Sequence, residues 1–178
     1  MKDLKNLIQG CIIRDRTSQK MLYRLFYSFT MGICIRYSAS RDEAVKHMNE
    51  GFYQVYDKIE LYDYSDAFDQ WLKAIFIGIF IEQSRGQIRT LAALENHHIS
   101  LSNSTIPANN LKHHQLIMII QKLSQELRTF YNLYVIDGYT YEQLSTIFLI
   151  THVHSKSILS AARAQLEQII YKSGYTSL

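Results

Sequence analysis

Apolar positions recur at steps of three and four along most of this 178-residue chain, and strict alternation is rare, so the pattern predicts helices throughout. Residues 1–10 read as a short polar lead-in. From about Thr17 to Arg36 the stripe Leu22, Leu25, Phe26 and Phe29 predicts one helix. Ser40 followed three residues later by Glu43 is a capping-box pattern. It opens a second helix to about Ile59, carrying Val45, Met48, Phe52, Val55 and Ile59. The aromatic and acidic segment from Glu60 to Asp66 reads as a loop. A third helix follows from Ala67 to about Ile88, with Phe68, Trp71, Leu72 and Ile75 on its apolar side. Asn96 to Asn110 is rich in Ser, Asn and His and holds the chain's one proline, Pro107, which marks a linker. The helical pattern resumes at Leu111, and no internal repeat is present.

The stretch from Leu123 to Arg163 contains two further helix starts. Thr140 and Gln143 form a capping box directly after the turn pair Asp137-Gly138. Thr151 is the expected N-cap of a helix running to about Lys172, with Leu159, Ala162, Leu166, Ile169 and Ile170 on one side. Lys156, Ser160 and Arg163 fall together on another side. A short helix, a turn and a longer helix with a polar, basic outer face is an arrangement that reads DNA. An exposed amphipathic helix closing a small bundle is the alternative.

Composition changes this picture little. Charged residues are 20% and hydrophobic residues 47%, as in an ordinary globular protein. The net charge of +3 is spread over both halves and gives only mild support for a nucleic-acid partner. Two cysteines, Cys11 and Cys34, sit in apolar helical contexts, which suits reduced thiols in the cytoplasm. The segment MKDLKNLIQG lacks the apolar core of a secretory signal. The longest apolar run, Ala74 to Ile81, is far short of the roughly 20 residues that span a bilayer. The expectation is therefore a cytoplasmic protein. No nucleophile elbow, phosphate loop, zinc-protease motif or dinucleotide fingerprint occurs, so neither an enzyme nor a cofactor is expected. His97-His98, His113-His114, His152 and His154 lack the companion ligands of a tetrahedral site, and no metal is expected.

Leu123, residues 128–134, 137–140 and 155–157, Leu159-Ser160 and Ala162-Arg163 resemble, in order and without gaps, region 4 of the extracytoplasmic-function family of sigma-70-type RNA polymerase sigma factors. The first half extends the resemblance. Residues 10–16, Leu22-Tyr23, Arg36-Tyr37, residues 42–44 and 49–52, and the helix carrying Phe68, Trp71, Leu72, Lys73 and Ile75 resemble the family's region 2. About 140 residues are covered. The resemblance implies an all-α fold of two helical domains: a region 2-like domain over 1–95, a flexible linker over 96–110, and a region 4-like helix-turn-helix domain over 111–178.

It also implies roles. Asp42, Glu43, Lys46, Asn49, Glu50 and Phe52 match positions that dock on the β′ clamp of core RNA polymerase; a solvated helix face is the alternative. Tyr62, Tyr64, Asp66, Lys73, Gln83 and Arg85 fall in the part that opens the promoter −10 element and holds unpaired bases, where rings can stack. Phe68 and Trp71 are also available there, with a core role favoured for Trp71. Thr151, His152, His154, Ser155, Lys156, Ser160 and Arg163 would face the −35 element, through phosphates or base edges. The implied partners are core RNA polymerase, promoter DNA and an anti-sigma factor.

The chain departs from the pattern at several positions. Lys46 stands where the family carries an acid, and Ala74 and Gly78 replace a basic residue and an asparagine. The basic run closing region 2 is thinned to Arg85 and Arg89. Leu149 takes the turn position usually held by glycine, and Ala161 that of an arginine. Fewer cations imply weaker DNA affinity with a flatter salt dependence. Three functions follow as alternatives: a promoter-directing sigma factor, a diverged relative that binds polymerase or an anti-sigma factor without reading promoters, and an unrelated helical DNA-binding regulator.

Overall fold

The computed structural model describes residues 2–94 and 112–173, with side chains described from 4 to 93 and from 112 to 173. The fold is all-α, and no strand occurs among the described residues. The helices are α1 (Lys2–Ile12), α2 (Arg16–Tyr37), α3 (Arg41–Lys58), α4 (Phe68–Leu94), α5 (His113–Gln121), α6 (Gln125–Tyr131), α7 (Tyr141–Phe148) and α8 (His152–Lys172). The chain divides into two compact units. Unit 1 comprises residues 1–35 and 40–79, and unit 2 comprises residues 36–39 and 80–178. The division thus assigns 36–39 and 80–94 to the second unit, whereas the sequence reading places them in a domain over 1–95. The expected linker, 96–110, lies outside the described residues.

In unit 1 the expected polar lead-in is instead a helix. Ile8 and Cys11, one turn apart, are each 1% exposed, which anchors α1 in the core. It ends at Arg14, whose φ of 60° is left-handed, with the Asp15 N–H returning to the Gly10 carbonyl at 2.9 Å. Asp15 then caps α2 by accepting from the Ser18 N–H at 2.8 Å. The Ser18 hydroxyl, donating to the same carboxylate at 2.6 Å, and then that N–H hold the carboxyl below the usual range. Of the stripe expected on α2, Leu22 is buried but Leu25 and Phe29 are exposed at 60% and 38%. Periodicity marks a face, and the packing partners decide how much of it is covered.

Ser40 caps α3 as expected, accepting from the Glu43 N–H at 3.2 Å. Met48, Phe52 and Val55 point inward from that helix. Phe52 meets Tyr23, Tyr56 and Phe76, and a Cβ on Gly51 would run into the Phe76 ring, so glycine here permits the α3–α4 approach. The segment after α3 starts with a 3₁₀ turn, Ile59–Leu61, before the loop proper.

Unit 2 is organised around α6 and the five-residue π-turn Asn132–Ile136 that follows it. Arg128 is 3% exposed and donates to three main-chain carbonyls: Tyr37 at 2.9 Å, Gln121 at 2.9 Å and Leu123 at 3.0 Å. Asn132 donates to the Arg36 and Arg128 carbonyls, and Ser84 and Thr129 share a buried 2.7 Å hydroxyl bond. Tyr37 stacks on Phe80 at 4.6 Å. These partners explain why residues 36–39 and the second part of α4 group with the C-terminal helices. Ile119, Ile120, Leu123, Leu166 and Ile170 form an apolar cluster joining α5 to α8. Burying each such side chain contributes about 1.5–3 kcal/mol.

Candidate polymerase and nucleic-acid surfaces

The helix-turn-helix is built from local chemistry. Thr140 and Gln143 make the reciprocal capping box that starts α7. The Leu149 backbone is left-handed at φ 55°, and its N–H returns to the Ser145 carbonyl, closing α7. Thr151 caps α8 by accepting from the His154 N–H at 3.2 Å. Gly138 at φ 78° turns the chain ahead of α7.

The residues expected to face the −35 element take different positions. Thr151, His152 and Lys156 are exposed, while His154 and Arg163 are half-buried. Ser155 is fully buried and its hydroxyl pairs with Ser145 at 2.9 Å, so it joins α7 to α8. Ser160 is 7% exposed, beside Ser157 at 9%, Ile158 at 0% and Leu159 at 1%. Four successive residues at 100° steps span the helix circumference, so this turn of α8 is enclosed on all sides. Lys156 and His152, both exposed, have a ring partner. Lys156 Nζ lies 5.9 Å from the Tyr141 ring centre, and His152 meets the same ring edge-on while pairing with Glu142 at 3.3 Å. Tyr141 in turn stacks on Tyr134 at 4.4 Å. Burial, then the Tyr134 bond, pushes the Tyr141 hydroxyl up to about 12, and the Arg163 charge opposes this. Sequence reasoning missed Tyr141. Its place directly after the cap residue was the available signal.

On α3, Asp42, Lys46, Asn49 and Glu50 are exposed and Glu43 is half-buried. Phe52 is 2% exposed and lies in the aromatic core of unit 1. The large apolar side chain on the outer face is instead Tyr53, 70% exposed and in helical register with Lys46, Asn49 and Glu50. Sequence reasoning missed it, although the spacing of three and four was legible.

Among the −10 candidates, Tyr62 is 9% exposed, donates to the Asp66 carbonyl at 2.7 Å, and packs with Phe68 and Trp71. Tyr64 is 44% exposed with a left-handed backbone, φ 64°. Asp66 is exposed and Lys73 half-buried. Trp71 is half-buried and stacked on Phe68. Gln83 and Arg85 belong to unit 2; Gln83 is exposed, and Arg85 pairs with Glu82 at 3.3 Å. Among the other departures from the family pattern, Ala74 and Gly78 are exposed on α4, and Arg89 donates to the Phe148 carbonyl at 3.0 Å.

Among the described residues no three His, Cys, Asp or Glu side chains come together as metal ligands. His97 and His98 lie outside those residues. No described helix is long and apolar enough to cross a membrane.

No family model matches the chain, and no curated protein matches it. Among solved structures it is similar to the sigma factor RpoE from Bartonella quintana, crystallised with the anti-sigma factor NepR. The similarity has a TM-score of 0.50 at 20% identity, over 85% of this chain and 96% of that one. At that identity the likeness is one of fold: the all-α architecture described above is similar to that of this neighbour.

Proposed function

We propose that this chain is a sigma factor that directs core RNA polymerase to promoters. The outer face of α3 binds the polymerase clamp through Asp42, Glu43, Lys46, Asn49 and Glu50, with Tyr53 beside them. The segment from Tyr62 to Lys73, together with Gln83 and Arg85, engages the −10 element. The helix-turn-helix of α7 and α8 engages the −35 element through Thr151, His152, His154, Lys156 and Arg163. The observation that carries the reading is the helix-turn-helix itself: two capped helices joined through left-handed Leu149, with Lys156 and His152 exposed at the start of the second. Such a start is the part of a recognition helix that meets base edges. The chain performs no covalent chemistry, because nucleotide joining belongs to the polymerase.

A second reading is favoured by one observation, the enclosed turn of α8 at residues 157–160. A helix enclosed on all sides cannot enter a groove along that turn. On this reading the chain binds polymerase or an anti-sigma factor without reading promoters. The structural neighbour's capture with an anti-sigma factor suits such a partner.

Run-off transcription with core RNA polymerase and genomic DNA separates the two. New discrete start sites, suppressed by Lys156→Ala with Arg163→Ala, support the sigma factor. Co-elution with core polymerase without any new transcript supports the second reading.

A further inference from the structure

The charge of unit 1 is unevenly placed. Residues 1–35 carry six lysines and arginines against two acids, and residues 40–72 carry three against eight. On α2, Lys20 and Arg24 stand one turn apart, and Met21, Leu25 and Phe29 form a second row beside them. All five are exposed, and neither cation enters an ion pair among the described residues. Gly32, exposed at the end of the apolar row, leaves room for a large side chain, since a Cβ there would meet nothing within 4 Å.

The outer face of α3 has the opposite make-up. Tyr53 stands there between Glu50 and Asp57, each about one turn away and exposed. Lys46 lies one turn before Glu50 and Asp42 one turn before that, so acids outnumber cations on this face. Neither Glu50 nor Asp57 enters an ion pair among the described residues. The two helices meet through their other sides. The Tyr23 ring lies 4.6 Å from the Phe52 ring, and its hydroxyl reaches the Met48 sulfur at 3.9 Å. At about 100° per residue, Tyr23 is on the far side of α2 from the apolar row, and Met48 on the far side of α3 from Glu50 and Asp57. The two outer faces therefore look away from each other. One copy cannot bring them together, and two copies can.

We propose that copies of this chain associate head to tail, the α2 face of one copy receiving the α3 face of the next. Tyr53 packs on the row of Met21, Leu25 and Phe29, and Glu50 and Asp57 meet Lys20 and Arg24. Opposite charges at the rim set the register, and apolar contact at the centre excludes water. The contact is heterologous, so each pairing leaves one face of either kind free and assembly continues past a dimer. With a single aromatic anchor the interface belongs to the small, transient class, below about 1,200 Å². The association stands apart from the proposed function. Its consequence rests on that reading: the α3 face is also the one assigned to the polymerase clamp, so assembled copies withhold it from polymerase.

The test is sedimentation equilibrium of the full chain, from micromolar to near-millimolar concentration. Average mass is expected to rise with concentration beyond that of a dimer. It is expected to fall as salt is raised from about 0.1 to 1 M, where the Debye length shrinks from about 10 to 3 Å. Arg24→Glu with Leu25→Ala is expected to weaken association at least about 10-fold. Glu50→Gln with Tyr53→Ala is expected to weaken it about 5- to 30-fold. An equimolar mixture of these two variants has one intact face of each kind, so it forms a dimer and stops there. Lys122→Ala, at an exposed cation in unit 2, leaves association unchanged. Urea midpoints of all variants report whether the fold is intact.

Wild type that stays monomeric, a face variant that associates as wild type does, a mixture that stays monomeric, or an equal loss in Lys122→Ala overturns the association. At concentrations where wild type assembles, the α2 variant is expected to bind immobilised core polymerase better than wild type does. Equal binding overturns the withholding and leaves the association. No binding by either overturns the clamp docking of the proposed function, and the association again stands on its own measurement.

Discussion

The Tyr37 hydroxyl donates to Asp137 at 2.7 Å, joining residues 100 positions apart within unit 2. The same carboxylate, on a side chain only 1% exposed, faces the Arg36 guanidinium at 3.4 Å. The neighbouring carbonyls of Arg36 and Tyr37 are taken by Asn132 and Arg128. Two adjacent residues at the end of α2 are thus bonded through both main chain and side chain to the segment around α6. Tyr37→Phe is expected to cost about 1–2 kcal/mol, since it leaves a buried acceptor with one partner fewer. Asp137→Ala is expected to cost more, about 3 kcal/mol, because it also strips a largely buried arginine of its acid. Urea unfolding at neutral pH measures both.

Leu149 makes a prediction of opposite sign. Its side chain is 71% exposed while its backbone is left-handed, so it buries little and carries strain. Leu149→Gly is expected to raise stability by up to about 1 kcal/mol. Thr140→Ala, at the other end of the same helix, is expected to lower it by about 1 kcal/mol. Thermal melts of the two variants should therefore move in opposite directions.

Alkaline pH is expected to unfold the protein early. Burial pushes the Cys34 thiol up to about 12, and burial followed by the Asp15 charge pushes Cys11 up to about 11, from an ordinary 9.0. Tyr37 is raised well above its ordinary 10.0 by burial and then by Asp137. Each raised group contributes stability that is fully present below its unfolded value and lost as pH climbs toward its folded value. Urea midpoints are expected to fall from about pH 9 upward, and Cys11→Ala with Cys34→Ala to flatten the onset of that fall.

Phe52 and Tyr53 separate fold from surface. Phe52→Ala is expected to cost about 3–5 kcal/mol through the cavity it leaves. Tyr53→Ala should stay within about 0.5 kcal/mol of wild type, because its ring is largely in solvent. On the proposed function, Tyr53→Ala reduces co-elution with core polymerase at unchanged stability. Unchanged co-elution would remove Tyr53 from the docking face.

What was legible in the sequence was chemistry that acts over one helical turn. Ser40, Thr140 and Thr151 could be placed as caps because the donor and acceptor lie three residues apart. The all-α fold followed from apolar spacing for the same reason. Asp15 caps α2 through Ser18 with the same spacing of three, but the expected start of that helix at about Thr17 hides it. Helix α1 looks like a polar lead-in in the sequence because its polar residues surround only a few buried positions, Ile8 and Cys11 among them. Leu25 and Phe29 belong to the apolar stripe yet stay exposed, because period alone does not reveal which part of a stripe meets a neighbour. The roles of Arg128 and Asp137 depend on residues some 90 to 100 positions away, and no local pattern announces them. In the candidate site, the outward role of Ser155 and Ser160 is what the resemblance implies; their burial is set by packing.

The discontinuity of unit 2 has a consequence for synthesis on the ribosome. Arg36 and Tyr37 emerge early, yet Asp137, which both contact, follows 100 residues after Tyr37. At about 5–20 residues per second that interval lasts roughly 5–20 s. Throughout it, Tyr37 and the apolar start of the second part of α4, including Phe80, lack their final surroundings. The nascent chain therefore passes through a window in which it invites a chaperone, and a stop codon anywhere before Asp137 leaves that window open.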